Sequence, residues 1–277
     1  LLITYGDSLR KNNEPGLVTL ENFLLSRIKS RFSLVHVLPF YPWTDDDGFS
    51  VVDFRSVDTP LGDWENISSL AGKYRMVFDA VFNHVSKSSA YVKGHLNGDP
   101  DYRDFCIEED ISFDYSQVTR PRTSPLFHSY QAKDGEVRLW TTFSEDQVDL
   151  NFSNPAVLLE MLDVLLFYAA KGASMIRLDA VPYMWKQSGT NCVHRPQTHA
   201  FIRIVRLVLD VAAPHVTILS ETNVPHAENL TYFGDQGNEA QIIYNFTLAP
   251  LILYGLKTGD AEPLTRWAGS LTPPAKS

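Results

Sequence analysis

Three short runs place acids and an imidazole directly after apolar stretches: Asp79-Ala80-Val81-Phe82-Asn83-His84, Arg177-Leu178-Asp179 and Ser220-Glu221-Thr222-Asn223. Two carboxyl groups facing one bond are the minimal equipment for glycoside chemistry. One attacks or stabilises the oxocarbenium-like carbon and the other protonates the leaving oxygen. Their surroundings must push their pKa values apart. Arg177, two residues before Asp179, supplies a cation that favours the ionised carboxylate a nucleophile needs. Glu221 is followed by neutral Thr222 and Asn223, has no cation next to it in sequence, and is the better proton donor. A single such acid is commonly a cap or half of a structural ion pair. Acids on neighbouring strand ends, one with an arginine two residues ahead, are harder to explain that way.

What must position these groups is a set of parallel strands whose C-terminal ends converge on one mouth. Short apolar runs that end in polar residues alternate with longer amphipathic stretches, the pattern of βα units. Six strands are predicted, at Leu1 to Tyr5, Leu34 to Phe40, Met76 to Val81, Met175 to Ala180, Val216 to Ser220 and Gln241 to Tyr244. Helices are expected at Leu17 to Arg31, Pro155 to Lys171 and Thr198 to Ala212, where apolar residues recur three and four apart. Asp63 and Asn154 suit helix N-caps, the second with proline behind it. The stretch from Val85 to Gln147 breaks the rhythm without a sustained helical period. It reads as a functional insertion after the third strand. The expected organisation is therefore a first barrel portion at 1–84, an inserted domain at 85–147 and a second barrel portion at 148–277, with a Pro-containing tail at Leu271 to Ser277.

The 277 residues carry 24 basic and 33 acidic side chains, a formal charge of -9, mixed along the chain. No basic stripe of the kind a nucleic-acid backbone requires is present, so a nucleic-acid partner is not expected. No apolar run approaches the roughly 20 residues needed to cross a bilayer, and no membrane role is expected. The two cysteines, Cys106 and Cys192, form neither a metal pattern nor a disulfide framework, which fits a reducing, cytoplasmic setting.

The runs Asp79 to His84, Met175 to Ala180 and Leu219 to Asn223 resemble, in order and spacing, the first three conserved regions of the α-amylase superfamily, glycoside hydrolase family 13. Gln147-Val148-Asp149-Leu150-Asn151 resembles the further region that closes its inserted B domain. The resemblance implies a (β/α)8 barrel and a double-displacement, retaining mechanism. In it Asp179 is the nucleophile, Glu221 the acid/base, and Arg177 and His84 bind sugar, with Asp79 and Asn83 as structural members of the site. The stretch Leu38 to Phe49 and the opening Ile3 to Asp7 look like the sucrose phosphorylase subfamily. That likeness puts Asp46, Phe49, Phe143 and Gln147 around the glucose subsite, where an aromatic face against a pyranose C–H face is physically sensible.

The segment Met184 to His199, with Asn223 to His226, looks most like the glucosylglycerate phosphorylase branch. There Lys186, His194, Arg195 and His199 either meet an acceptor carboxylate or phosphate or form a solvated loop. Asn83 matches a position that binds calcium in many amylases, but its partner ligands are not recognisable, and neither a metal nor an organic cofactor is expected. The implied reaction uses inorganic phosphate as co-substrate with a small α-glucoside. Hydrolysis or transglucosylation on the same barrel, and a non-catalytic barrel subunit, are the alternatives. None of the eight histidines is followed by aspartate. The family's fourth conserved region is thus missing, and with six strands counted the chain is expected to be an incomplete barrel, inactive by itself, with no expectation for its oligomeric state.

Overall fold

The computed structural model describes residues 1–271; the rest of the predicted tail lies outside the described residues. In chain order the strands are β1 (Leu2–Thr4), β2 (Leu34–Val37), β3 (Arg75–Ala80), β4 (His84–Ser86), β5 (Phe127–Ala132), β6 (Gly135–Trp140), β7 (Gln147–Asp149), β8 (Ala173–Leu178), β9 (Thr217–Ser220) and β10 (Ile242–Ile243). The helices are α1 (Gly16–Phe23), α2 (Trp64–Ala71), α3 (Ala90–Leu96), α4 (Pro155–Ala170), α5 (Pro196–Ala212), α6 (His226–Leu230), α7 (Leu248–Thr258) and α8 (Glu262–Ser270).

All six predicted barrel strands form. They lie in one parallel sheet in the order β1-β2-β3-β8-β9-β10, which is six strands' worth of a (β/α)8 barrel. β1 and β10 have no outer partner among the described residues. The interior strands are near-continuous apolar runs because helices cover one face and the barrel lumen the other. Val77, Met175 and Leu219 pack on one side, while Phe78, Ile176 and Ile218 join the main core. That core includes an aromatic set around Phe40, whose ring meets Tyr41, Trp64 and Phe78 at centroid distances of 4.6, 5.6 and 5.1 Å.

Both predicted caps are made. Asp63 accepts from the amides of Glu65 and Asn66, and the Asn66 side chain accepts from the Asp63 amide, a reciprocal capping box. Asn154 accepts from Ala156, with Pro155 at the first helical position.

One expectation needs correction. The helix predicted over Leu17 to Arg31 is α-helical only to Phe23. Leu24–Ile28 widen into a π-turn, Lys29–Arg31 tighten into a 3-10 turn, and Lys29 takes a positive φ of 54°. Only Leu24 of the last eight residues is buried, so core packing does not hold that end in regular helix. The insertion, in turn, contains a short helix, α3, capped by Ser89, and the hairpin β5–β6. Its base is the antiparallel pair β4–β7, in which His84 faces Asp149 and Ser86 faces Gln147. Boundaries at 84 and 147 therefore cut through one ribbon, which also carries side chains into the site.

Candidate active site

The parallel register delivers the chemistry to one level. Asp79 lies opposite Arg177 across β3 and β8, and Asp179 and Glu221 follow the ends of β8 and β9. A cleft of about 470 Å³ opens there. It is lined by Asp179, Glu221, Arg177, His84, Asp46, Phe49, Phe143 and Gln147, which are all the catalytic and sugar-binding residues expected from the sequence.

Arg177 Nη1 donates to Asp79 Oδ1 and Asp179 Oδ1, each at 2.7 Å. Asp79, fully buried, also takes a 2.7 Å bond from His36 Nε2. Burial alone would raise its carboxyl, but His36 and Arg177 outweigh that and hold it below the usual Asp range. Asp79 is thus a fixed anion that fastens Arg177 beneath the cleft. The guanidinium lies over the rings of Phe49 and Tyr244, each with its centroid 5.4 Å from Cζ. Phe49, expected as a sugar platform, spends this face on Arg177.

Burial is the largest influence on Asp179 and pushes its carboxyl up. Arg177 and His84 oppose this without cancelling it, and the carboxyl stays above the usual Asp range. Sequence neighbours suggested only the second effect. Glu221 is raised first by burial and then by the charge of Asp179, with Arg177 opposing. Because Arg177 bonds Asp179 directly, Asp179 is the first of the two to ionise, and its charge then keeps the proton on Glu221.

His84 Nε2 lies 3.0 Å from both the Phe49 carbonyl and Gln147 Nε2. Nδ1 faces the Asn83 amide at 3.2 Å. Gln147 Nε2 donates to Asp46 Oδ2 at 3.0 Å and ties that loop to the ribbon. Asp46 and Asp47 are both in the left-handed region, at φ 54° and 51°, ahead of Gly48 at 105°. Three successive positive-φ residues at a cleft are strain held in place by the surroundings. Phe143 packs its ring against His84 and Tyr183, at 5.1 and 5.4 Å.

The basic segment after β8 behaves differently from the acceptor-facing expectation. Lys186 is buried, with Nζ 2.6 Å from Asp149 Oδ2 and 3.4 Å from Asn83 Oδ1, over the Trp140 ring. His194 bonds the Tyr232 hydroxyl at 2.7 Å, His199 the Glu239 carboxylate at 2.8 Å, and Arg195 the Gln187 amide oxygen at 3.1 Å. None of the four lines the cleft. Each has found a partner in the loops around it. Asn83 and Asp149 hold an ammonium between them, so a calcium ion does not fit that pair as it stands: two cations would share one carboxylate.

Pro121, Arg122, Ala180, Pro182, Tyr183 and Asn223 also line the cleft and were not singled out as site residues. Pro121 and Arg122 come from the irregular insertion, where no periodicity marks which side chain points inward. Tyr183 follows Asp179 by four residues, a proximity that could have flagged it.

Residues 31–267 match the α-amylase catalytic domain model. The chain is 51% identical over 276 residues to a glucosylglycerate phosphorylase of Allomeiothermus silvanus, covering all of this chain and 50% of that protein. It is 32% identical to a sucrose phosphorylase of Agrobacterium vitis, over 96% of this chain and 55% of that one. Among solved structures, a sucrose 6F-phosphate phosphorylase from Thermoanaerobacter thermosaccharolyticum superposes with a TM-score of 0.84 at 27% identity, over 98% of this chain and 56% of the other. The chain spans about half the length of the curated relatives it matches. Its incomplete parallel barrel, its inserted ribbon and hairpin, and the order of its strand-end acids all agree with the domain match: the chain belongs to the α-amylase family, as part of its catalytic domain.

Proposed function

We propose that the protein is a retaining phosphorylase that moves an α-glucosyl group from a small α-glucoside, glucosylglycerate or sucrose, onto inorganic phosphate. The observation that carries the chemistry is the division of two buried carboxyls by one guanidinium: Arg177 grips Asp179 at 2.7 Å and leaves Glu221 raised. The choice of phosphorolysis rests on the 51% identity to a glucosylglycerate phosphorylase.

In the first displacement Asp179 attacks the anomeric carbon while Glu221 gives its proton to the glycosidic oxygen. The C–O bond breaks, the acceptor alcohol leaves, and glucose is held as an ester of Asp179. In the second, phosphate oxygen attacks the same carbon, Glu221 takes the phosphate proton, and Asp179 is released. Two inversions give α-glucose 1-phosphate. His84, Arg177, Gln147 and Asp46 orient the sugar, with the acidic loop tied down by the Gln147 bond to Asp46. The reaction as proposed calls for neither a metal nor an organic cofactor, and Lys186 between Asn83 and Asp149 speaks against a cation at that pair. Small molecules are thus the partners. A cytoplasmic location is supported by the two free cysteines, and no helix among the described residues is long and apolar enough to cross a membrane.

The test is product analysis of the natural gene product with glucosylglycerate and with sucrose, with and without phosphate. α-Glucose 1-phosphate formed only with phosphate supports phosphorolysis. Free glucose as the sole sugar product at saturating phosphate would replace it with hydrolysis.

A further inference from the structure

At the mouth of the cleft the parallel ladder between β8 and β9 is broken in one specific way. Leu178 pairs with Ser220, and the Glu221 amide donates to the Leu178 carbonyl at 3.0 Å. In a regular parallel pair the next rung would run from the Ala180 amide to the Glu221 carbonyl. Instead the Ala180 amide donates to the side chain, reaching Glu221 Oε2 at 3.0 Å. The chain turns there because Ala180 is left-handed, at φ 48° and ψ 26°, and Val181–Tyr183 follow as a 3-10 turn. Alanine rarely adopts this conformation, so packing must hold it. Ala180 is buried at 7% exposure, and Pro182 and Tyr183 beyond it reach the cleft.

We propose that the backbone amide of Ala180 is a positioning group for Glu221, taking Oε2 as its acceptor and so leaving the transferable proton on Oε1. A carboxylic acid carries one proton, and an oxygen that accepts an amide N–H is the poorer place for it. Oε1 makes no hydrogen bond to the described residues, so it is free to meet the leaving oxygen. The same bond ties the acid/base to the nucleophile's own strand: Asp179 and the amide that aims its partner are consecutive residues. A shift of one therefore moves the other. The proposal rests on Glu221 as the acid/base, whichever acceptor completes the reaction.

Two measurements on the natural gene product test it. Replacing Ala180 by its α-hydroxy acid turns the amide into an ester and deletes only the N–H. Because that N–H favours the carboxylate, its loss should move the alkaline limb of the kcat/KM profile up by about one pH unit. An ester variant that loses rate with an unmoved limb would assign Ala180 a purely structural part and overturn the proposal. The second measurement does not depend on the ester protein folding. With 15N-alanine labelling, the Ala180 amide proton should shift upfield when Glu221→Ala removes its acceptor, and an unchanged resonance would sink the idea. Neither reading needs phosphate, so an enzyme that proved to be a hydrolase would refute phosphorolysis and leave this proposal standing.

Discussion

The ammonium of Lys186 lies 2.6 Å from the carboxylate of Asp149, with side-chain exposures of only 6% and 0%. Asp149 also accepts from the Thr142 amide at 2.8 Å and its hydroxyl at 2.6 Å, and from the Asn83 amide at 3.2 Å. This one pair joins the loop after β8 to the β4–β7 ribbon and, through Asn83, to His84. Lys186→Met should leave a buried carboxylate without its cation and cost roughly 3–5 kcal/mol of unfolding free energy. Denaturant titration would measure it; a loss under about 1 kcal/mol would mean that water or a cation replaces the ammonium at little cost.

Asp179→Asn should keep the fold and abolish glucosyl transfer. Removing a covalent nucleophile commonly lowers the rate by several orders of magnitude. The amide is nearly isosteric and still accepts from Arg177 through its oxygen, so far-UV circular dichroism should be unchanged. A purified Asp179→Asn enzyme that kept more than a few per cent of wild-type turnover would take the nucleophile's role away from Asp179.

Retention has a geometric signature. The Asp179 and Glu221 carboxyls should stand about 5 to 6 Å apart in a crystal structure, where an inverting pair needs roughly 6.5 to 9.5 Å to admit water. Proton NMR of the first-formed sugar phosphate would check the outcome independently. A β-anomeric product would contradict the double displacement.

Glu221 is raised in the folded state, so the native protein binds its proton more tightly than the unfolded chain does. Stability from this group is present at low pH and falls as pH rises from the ordinary glutamate value through the raised one. Glu221→Gln removes that penalty and should raise the melting temperature at pH 8 by about 2 to 4 °C, the effect of roughly 1 kcal/mol in a chain of this size. The gain should shrink at pH 4. Asp79 has the opposite sign: its lowered carboxyl stabilises the fold at neutral pH and ceases to as pH falls through its folded value. A gain for Glu221→Gln that did not depend on pH would show that its carboxyl is not raised by folding.

Residues 1–277 expressed alone should associate and turn over slowly. Ile3 on β1 and Ile242 on β10 are 46% and 40% exposed, and both strands lack an outer partner among the described residues. On α7, Ile252, Leu253 and Leu256 are also exposed. Open edges beside apolar surface invite pairing with other chains. Sedimentation and a glucosyl-transfer assay would decide; a monomer with turnover near that of the natural gene product would count against an incomplete barrel.

The sequence by itself determined the strands, because each is a short apolar run ending in polar residues. It also determined that the strand-end acids and their arginine share one level, because a parallel barrel aligns strand ends whatever the loops do. Asp79, Arg177, Asp179 and Glu221 were therefore legible as neighbours, as were the caps Asp63 and Asn154, whose bonds span two or three residues. Tertiary structure alone decided the pairings. Arg177 meets Asp79 across 98 positions, Glu221 meets the Ala180 amide across 41, and Lys186 turns away from the cleft to Asp149. Such contacts depend on strand register and on how a loop returns, which no local pattern encodes. The balance at Asp179 was hidden for a different reason. A neighbouring arginine can be read from the chain, whereas the burial that opposes it is set by everything packed around the carboxyl.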